Sequence, residues 1–313
     1  MAARDLHELP RFGDGVSFLY LEHCRLEQDD KSVAAWGEGG VTHIPAAALA
    51  ALLLGPGTVI THAAMKTLAE SGTSVVWTGE QAVRTYASGT GETRSSRNLL
   101  RQAWLVSHET ARLEVVSRMY RMRFPGPLPA DLTLQQIRGM EGARVRDAYA
   151  AAAGQFGVEW TGRSYGRGSW DSSDPVNRAL STANSCLYGL CHAAIVSLGY
   201  SPALGFIHTG KQLSFVYDIA DLYKVEITVP AAFRMAGEGS ENLERRVRLA
   251  LRDRMTEARL LERVPGDIAN VLNVPLEEED PYAGDFARPA DLWEPARGTE
   301  NQTLPPVAGE GPF

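Results

Sequence analysis

Four residues have the types that metal-assisted chemistry on a phosphodiester requires. His208, Asp218 and Asp221 fall within 205–224, and Glu141 lies far upstream. An attacked phosphodiester carries negative charge and repels an incoming hydroxyl. A divalent cation neutralises that charge, lowers the pKa of the attacking group and stabilises the departing oxygen. Carboxylates suit Mg2+ or Mn2+, and an imidazole nitrogen shifts the preference toward Mn2+. In SFVYDIADLYK, Phe215, Ile219 and Leu222 recur at helical spacing, and Tyr223 extends the stripe. Asp218 and Asp221, three apart, are then neighbours on another face of the same helix, where a cation would relieve their repulsion. Gly205 and Gly210 flank His208 and permit a tight turn. Glu141 stands in RGMEGARVR between Gly139 and Gly142, small residues beside which another element can approach. The same residues have plainer readings. Two aspartates on an amphipathic helix also read as a solvated face, and a single loop histidine as a polar surface group or a satisfied core group. No spacing ties Glu141 to the others.

The elements that must position these residues divide the chain unevenly. Strand-like stretches at 16–22, 32–36, 40–44, 57–61, 73–78 and 82–87 are separated by glycine-rich turns. Short helices fit at 45–54 and 62–71. Beyond the Gly/Ser/Thr stretch at 88–96 the pattern turns helical: 97–123 repeats Leu100, Trp104, Leu105, Leu113, Val116, Met119 and Tyr120. PGPLPAD ends that helix, and further helices fit at 132–155, 176–198, 212–223 and 241–262. The expected fold class is α+β: a small β-rich N-terminal domain (1–90), a linker (91–96), a larger all-helical catalytic domain (97–273) and a Pro-rich, acidic, flexible tail (274–313).

Charge follows the same division. The chain has 38 acids and 31 bases, a net charge of −7. From residue 274 onward there are nine acids and two bases, so the body holds 29 of each and is neutral. The global balance therefore does not exclude a nucleic-acid face on the body. Arg97, Arg101, Arg112, Arg118, Arg121 and Arg123 form one basic run, and Arg245, Arg246, Arg248, Arg252, Arg254 and Arg259 another. Arginine forks suit phosphate, but interspersed glutamates favour a solvated face, and these runs alone do not establish DNA binding. Cys24, Cys186 and Cys191 form no CxxC pair, which fits buried thiols in a reducing cytoplasm. No stretch approaches the ~18 consecutive apolar residues of a membrane span, so no membrane partner is expected.

Longer motifs carry a resemblance. Residues 183–224, ANSCLYGLCHAAIVSLGYSPALGFIHTGKQLSFVYDIADLYK, resemble the catalytic core of the CRISPR-associated integrase family, and 138–146 resemble its upstream glutamate motif. THIPAAALAALLLGPGT at 42–58, VVWTGE at 75–80 and VRTYASG at 83–89 agree further, and with the subtype I-E branch. The resemblance implies a homodimer that joins a small Cas-two dimer, acts on double-stranded and forked DNA, and inserts foreign fragments into the repeat array. It implies Glu141, His208 and Asp221 as ligands of Mg2+ or Mn2+, with Asp218 as an additional catalytic acid. It implies Arg84, Tyr165, Tyr188, Lys211, Tyr217 and Lys224 as DNA- or site-associated residues. The family's fork wedge is an aromatic near the first strand. Here the matching position is His23, with Tyr20 nearby, a departure from the pattern. Two other functions share these residues: a structure-selective nuclease on branched DNA, and a non-catalytic DNA-binding scaffold.

Overall fold

The computed structural model describes residues 18–30, 32–46, 49, 51–79, 85–89, 96–163 and 174–273. Its N-terminal part is two four-stranded sheets with a helix packed between them. The strands are β1 (Phe18–Leu21), β2 (Arg25–Asp29), β3 (Ser32–Gly37), β4 (Gly40–Ile44), β5 (Ala51–Leu54), β6 (Val59–Ile60), β7 (Ser74–Thr78) and β8 (Thr85–Gly89), and the helix is α1 (His62–Glu70). One sheet runs β1-β5-β7-β8, parallel except for β8. The other runs β4-β3-β2-β6, an antiparallel meander with β6 parallel at its edge. Leu26, Val33 and Ile44 from one sheet, Leu52, Leu54 and Val75 from the other, and Ala64 and Leu68 of α1 close a core between them.

Two sequence expectations fail here. The alanine-rich 45–54 does not form the expected helix, because its end is strand β5. That strand is central in its sheet and buried on both faces: Leu52 and Leu54 enter the inter-sheet core, and Leu53 packs with Val76 against Ala193 and Val196. A strand buried on both faces shows a continuous apolar run, which cannot be told from a buried helix by period. Strand β2 has no sequence counterpart, because its charged residues Arg25, Glu27 and Asp29 lie on the exposed face and mask the alternation.

The C-terminal part is helical: α2 (Arg97–Ser107), α3 (Glu109–Arg121), α4 (Leu134–Phe156), α5 (Pro175–Ser197), α6 (Ser214–Ala220), a π-helical turn (Lys224–Thr228), α7 (Val229–Gly237), α8 (Leu243–Glu257) and α9 (Leu260–Leu272). The helix expected over 97–123 is two helices, broken at His108, whose extended backbone ends α2 and begins α3. The helix expected at 241–262 likewise divides at Arg259, which has positive φ, and α7 escaped the sequence reading. The N-terminal ends of α4 and α5 have legible chemistry: a Thr133/Gln136 capping box for α4, and an Asp174 cap followed by Pro175 for α5.

Helix α5 is the axis of the molecule. It has the length and apolar composition of a membrane span, yet 78% of its most apolar window is buried inside the protein. Its neighbours are α6, α7, α8, α9 and the outer face of the β1-β5-β7-β8 sheet. The sequence expectation of buried thiols holds for Cys186 and Cys191, both on α5, while Cys24 is half-buried; all three are free. Burial pushes the Cys186 thiol up to about 12, which removes its thiolate reactivity at neutral pH.

Candidate active site

The loop 201–208 carries His208, and three helices pin its backbone. Gln102 of α2 donates to the carbonyls of Ser201 and Leu204 and accepts from Ser201 N–H. Arg112 of α3 donates two bonds to the Phe206 carbonyl, at 3.1 and 2.8 Å. Asp218 of α6 does most. Its Oδ2 accepts from the N–H groups of Phe206 (2.6 Å) and Ile207 (3.1 Å), and its Oδ1 from that of His208 (2.9 Å). The same Oδ1 lies 2.7 Å from His208 Nδ1. Asp218 is wholly buried, while His208 keeps 43% of its side chain exposed. A carboxylate bonded to Nδ1 fixes the ring and leaves Nε2 available, the arrangement found behind metal-binding histidines.

Local backbone makes this possible. A Cβ on Gly205 would lie 2.3 Å from the His208 carbonyl and 2.7 Å from Ser214 Cβ, so only glycine fits where the loop folds back on α6. Gly210 has φ +77°, a conformation that glycine adopts without strain. Both flanking glycines thus serve the turn as expected. Gly139 and Gly142 do not behave as expected: a Cβ at Gly139 would meet nothing within 4 Å, and one at Gly142 only the tip of Arg146. Glu141 is reached by side chains, not by a close backbone approach.

Glu141 and Asp221 meet at a cation from a third element. Arg123, just past α3, puts Nη1 3.4 Å from Glu141 Oε1 and Nη2 3.6 Å from Asp221 Oδ2. Its side chain is 5% exposed, and its Nε and Nη2 have no hydrogen-bond partner among the described residues. Arg144 donates two further bonds to Glu141, at 2.9 and 3.1 Å. Lys224 Nζ sits 2.6 Å from Asp221 Oδ1 and 5.0 Å from the centre of the Tyr188 ring. The aromatic groups link these parts: Tyr188 packs edge-on to Tyr217 at 5.0 Å, and Tyr217 to His208 at 5.8 Å. A π-helical turn begins at Lys224, three residues past Asp221, and runs into α7, where Pro230 has no N–H to continue an α-helical ladder.

Electrostatics follow from these contacts. The hydrogen bond to Asp218 raises the His208 pKa, burial opposes it, and the charges of Asp221 and Asp218 add to the rise. Burial draws the Lys224 ammonium down, but Asp221 and Tyr188 outweigh it and leave its pKa above the ordinary lysine value. Burial raises the Tyr188 hydroxyl, with Lys224 opposing.

The structure thus gathers Glu141, His208, Asp218, Asp221, Tyr188, Tyr217 and Lys224 into one region, from α4, α5, α6 and the loops around α6. Asp218 and Asp221 do not share a cation: Asp218 turns inward to the loop and Asp221 outward to Arg123 and Lys224. Lys211 is exposed on the turn that precedes α6. Arg84 and Tyr165 lie outside the described residues. His23 is exposed, at positive φ, while the Tyr20 hydroxyl is tied to Glu22 at 2.6 Å. Among the described residues, no three His, Cys, Asp or Glu groups are arranged to hold a metal as they stand. The donor set nonetheless suits Mg2+ or Mn2+: two carboxylates and one oriented imidazole, with a cation already between the carboxylates.

Sequence reasoning missed Arg123, Arg144 and Arg112 as site residues. It read Arg112, Arg118, Arg121 and Arg123 either as phosphate contacts or as a solvated face, and all four instead make contacts within the chain. Arg118 and Arg121 donate to the carbonyls of Val271, Leu128 and Pro129, and the other two build the site. The second basic run does carry surface pairs, such as Arg252 with Asp253 and Arg254 with Glu257.

Known proteins resemble this chain over most of its length. The family profile described as "CRISPR associated protein Cas1" matches residues 126–246, which include Glu141, His208, Asp218 and Asp221. The CRISPR-associated endonuclease Cas1 2 of Thermus thermophilus is 56% identical over 296 residues, covering 94% of this chain and 91% of its own. The CRISPR-associated endonuclease Cas1 of Escherichia coli K12 is 43% identical over 278 residues, covering 88% of each chain. A crystal structure of a TtCas1–DNA complex, 56% identical, superposes with a TM-score of 0.78 over 84% of this chain and 99% of the other. At these identities and coverages, the chain belongs to the Cas1 family of CRISPR-associated proteins.

Proposed function

We propose that this chain is a divalent-metal-dependent DNA endonuclease and strand transferase of CRISPR adaptation, of the I-E type, acting in the cytoplasm. In that reaction a 3′-hydroxyl of a foreign DNA fragment attacks a phosphodiester of the repeat. A new P–O bond forms as the scissile P–O bond breaks, and the departing strand leaves with a 3′-hydroxyl. No nucleotide cofactor is needed. The observation that carries the reading is that carboxylates from α4 and from the end of α6, 80 residues apart in sequence, meet at one buried cation beside an oriented histidine. Glu141, Asp221 and His208 Nε2 would hold Mg2+ or Mn2+, which when bound neutralises the phosphate and assists both the attacking and departing oxygens. Asp218 acts as a positioning residue: it holds the His208 ring and loop. Lys224 stays charged across the working pH range and can face a phosphate when Asp221 turns to the metal. Tyr188, Tyr217, Lys211 and, outside the described residues, Arg84 and Tyr165 are assigned to DNA.

The partners proposed are a second copy of this chain and the small Cas-two dimer. The domain division at 1–90, 91–96 and 97–273, with a tail from 274, belongs to the same reading. The separate inter-sheet and helical cores support it. Because the relatives are named endonucleases, hydrolysis of branched DNA is the second reading. The Arg123 bridge would suit a third, a scaffold whose carboxylates are structural. One experiment separates them. The purified chain, with and without the Cas-two dimer, is given Mn2+, a short duplex, a branched duplex and a supercoiled plasmid carrying repeats. Joined products that need the partner support integration. Cleavage of branched duplexes alone, without the partner, supports the nuclease, and neither product supports the scaffold.

A further inference from the structure

Arg123 has no place in the mechanism above, yet it is the most buried of the site's cations. Its neighbours are few. It lies 4.9 Å from the centre of the Tyr120 ring, which fixes it on the C-terminal turn of α3, and it spans Glu141 and Asp221. Arg144 and Lys224 also neutralise these carboxylates, but both side chains are about a quarter exposed and can swing toward solvent. Two carboxylates thus face three cations before any metal arrives.

We propose that Arg123 is a built-in occupant of the metal site, holding Glu141 and Asp221 together in the metal-free protein and setting the concentration at which a divalent cation displaces it. The inference rests on the reading of Glu141, Asp221 and His208 as ligands. Its physical basis is simple. A guanidinium fork can satisfy one carboxylate with each arm, but both arms here sit at 3.4 and 3.6 Å, longer than a good charge-assisted bond. The contact is loose, and Arg123 Nε and Nη2 gain no hydrogen bond from it. A divalent ion on the same oxygens holds them more strongly and repels the adjacent guanidinium. The cost is paid in metal affinity, and the gain is a site that does not splay apart through carboxylate repulsion when empty. Arg123 is therefore a positioning residue, which acts on the carboxylates rather than on DNA.

The test uses the full chain and Mn2+ alone, titrated by the free-ion signal in electron paramagnetic resonance, with no DNA and no activity readout. Arg123→Met should bind Mn2+ roughly tenfold or more tightly than wild type, as expected when a like charge next to a divalent ion is removed. Without metal it should melt at a lower temperature than wild type, and Mn2+ should raise its melting point by more. Arg123→Lys keeps the charge but cannot fork to both carboxylates, so its affinity should fall between the two. If Arg123→Met does not fold, the lysine variant and the wild type decide. In wild type, amide hydrogen exchange across 120–124 should quicken when Mn2+ is added. Affinity unchanged or weakened in the variants, or exchange unchanged or slowed in wild type, overturns the inference. The underlying site reading fails differently: Glu141→Gln and Asp221→Asn would then bind Mn2+ as wild type does.

Discussion

At the scale of single residues, Asp218 decides whether His208 is usable. Four donors converge on its two oxygens, three of them backbone N–H groups. Asp218→Asn keeps the shape but turns an amide NH2 toward those donors. It should cost about 2 kcal/mol of stability, near the penalty for unsatisfied buried hydrogen-bonding groups. It should also cost about 10–100-fold in Mn2+ affinity, the usual size of a lost outer-shell partner. Urea melts and metal titration check the two separately, and a variant with wild-type affinity would mean that Asp218 does not orient a ligand. The raised His208 pKa gives a signed pH dependence. In the metal-free protein the stabilising proton is bound below the unfolded value of about 6.5, and its contribution is lost as pH rises through the higher folded pKa. Metal binding runs the opposite way, because the proton and the cation compete for the ring. Mn2+ affinity should therefore begin to fall at a higher pH than for an ordinary histidine, and His208→Asn should flatten that fall. His208 and Asp221 were legible from residue type within one short segment. Arg123 was not, because a buried arginine beside a turn has no signature in spacing; its partners are set by tertiary packing alone.

At the scale of elements, the site depends on a loop that folds back onto α6. Gly205→Ala would force a Cβ against the His208 carbonyl and Ser214. Backbone has to move, so a loss of about 1–3 kcal/mol is expected, with weaker Mn2+ binding although no ligand is altered. Thermal melts and the same titration read this, and an unperturbed alanine variant would show that the loop is looser than described. The glycine's presence was visible in sequence, but its reason was not: the close approach is between 205 and 208–214, a contact of the folded loop. The helices that carry the site were readable where their caps and stripes were intact, as in α4 and α5. They were misread where apolar spacing ran through a break, as at His108 between α2 and α3. There a single extended residue re-aims α3, so that Arg112 reaches the Phe206 carbonyl.

At the scale of the whole molecule, α5 joins the two cores. Its residues Ala193 and Val196 pack on Leu53 and Val76 of the first sheet, and Thr85 of β8 donates to the Gly189 carbonyl. Leu53→Ala opens that junction and should cost about 2–5 kcal/mol, the range for a truncated core leucine; a calorimetric scan would show whether both parts melt together. The order of a β-rich part before a helical part was legible from composition and period. The junction was not, because β5 reads as an alanine-rich helix until its two buried faces are known. The central claim is that Glu141 and Asp221, brought together across this fold, hold the cation that drives strand transfer. It is tested most directly by assembling the full chain with the Cas-two dimer and measuring joining of a duplex to a repeat plasmid in Mn2+, for wild type, Glu141→Gln and Asp221→Asn. The account predicts that both variants fold and bind DNA but lose strand transfer by roughly 100-fold or more, a change of about 2.7 kcal/mol in barrier. Joining at the wild-type rate by either variant would contradict it.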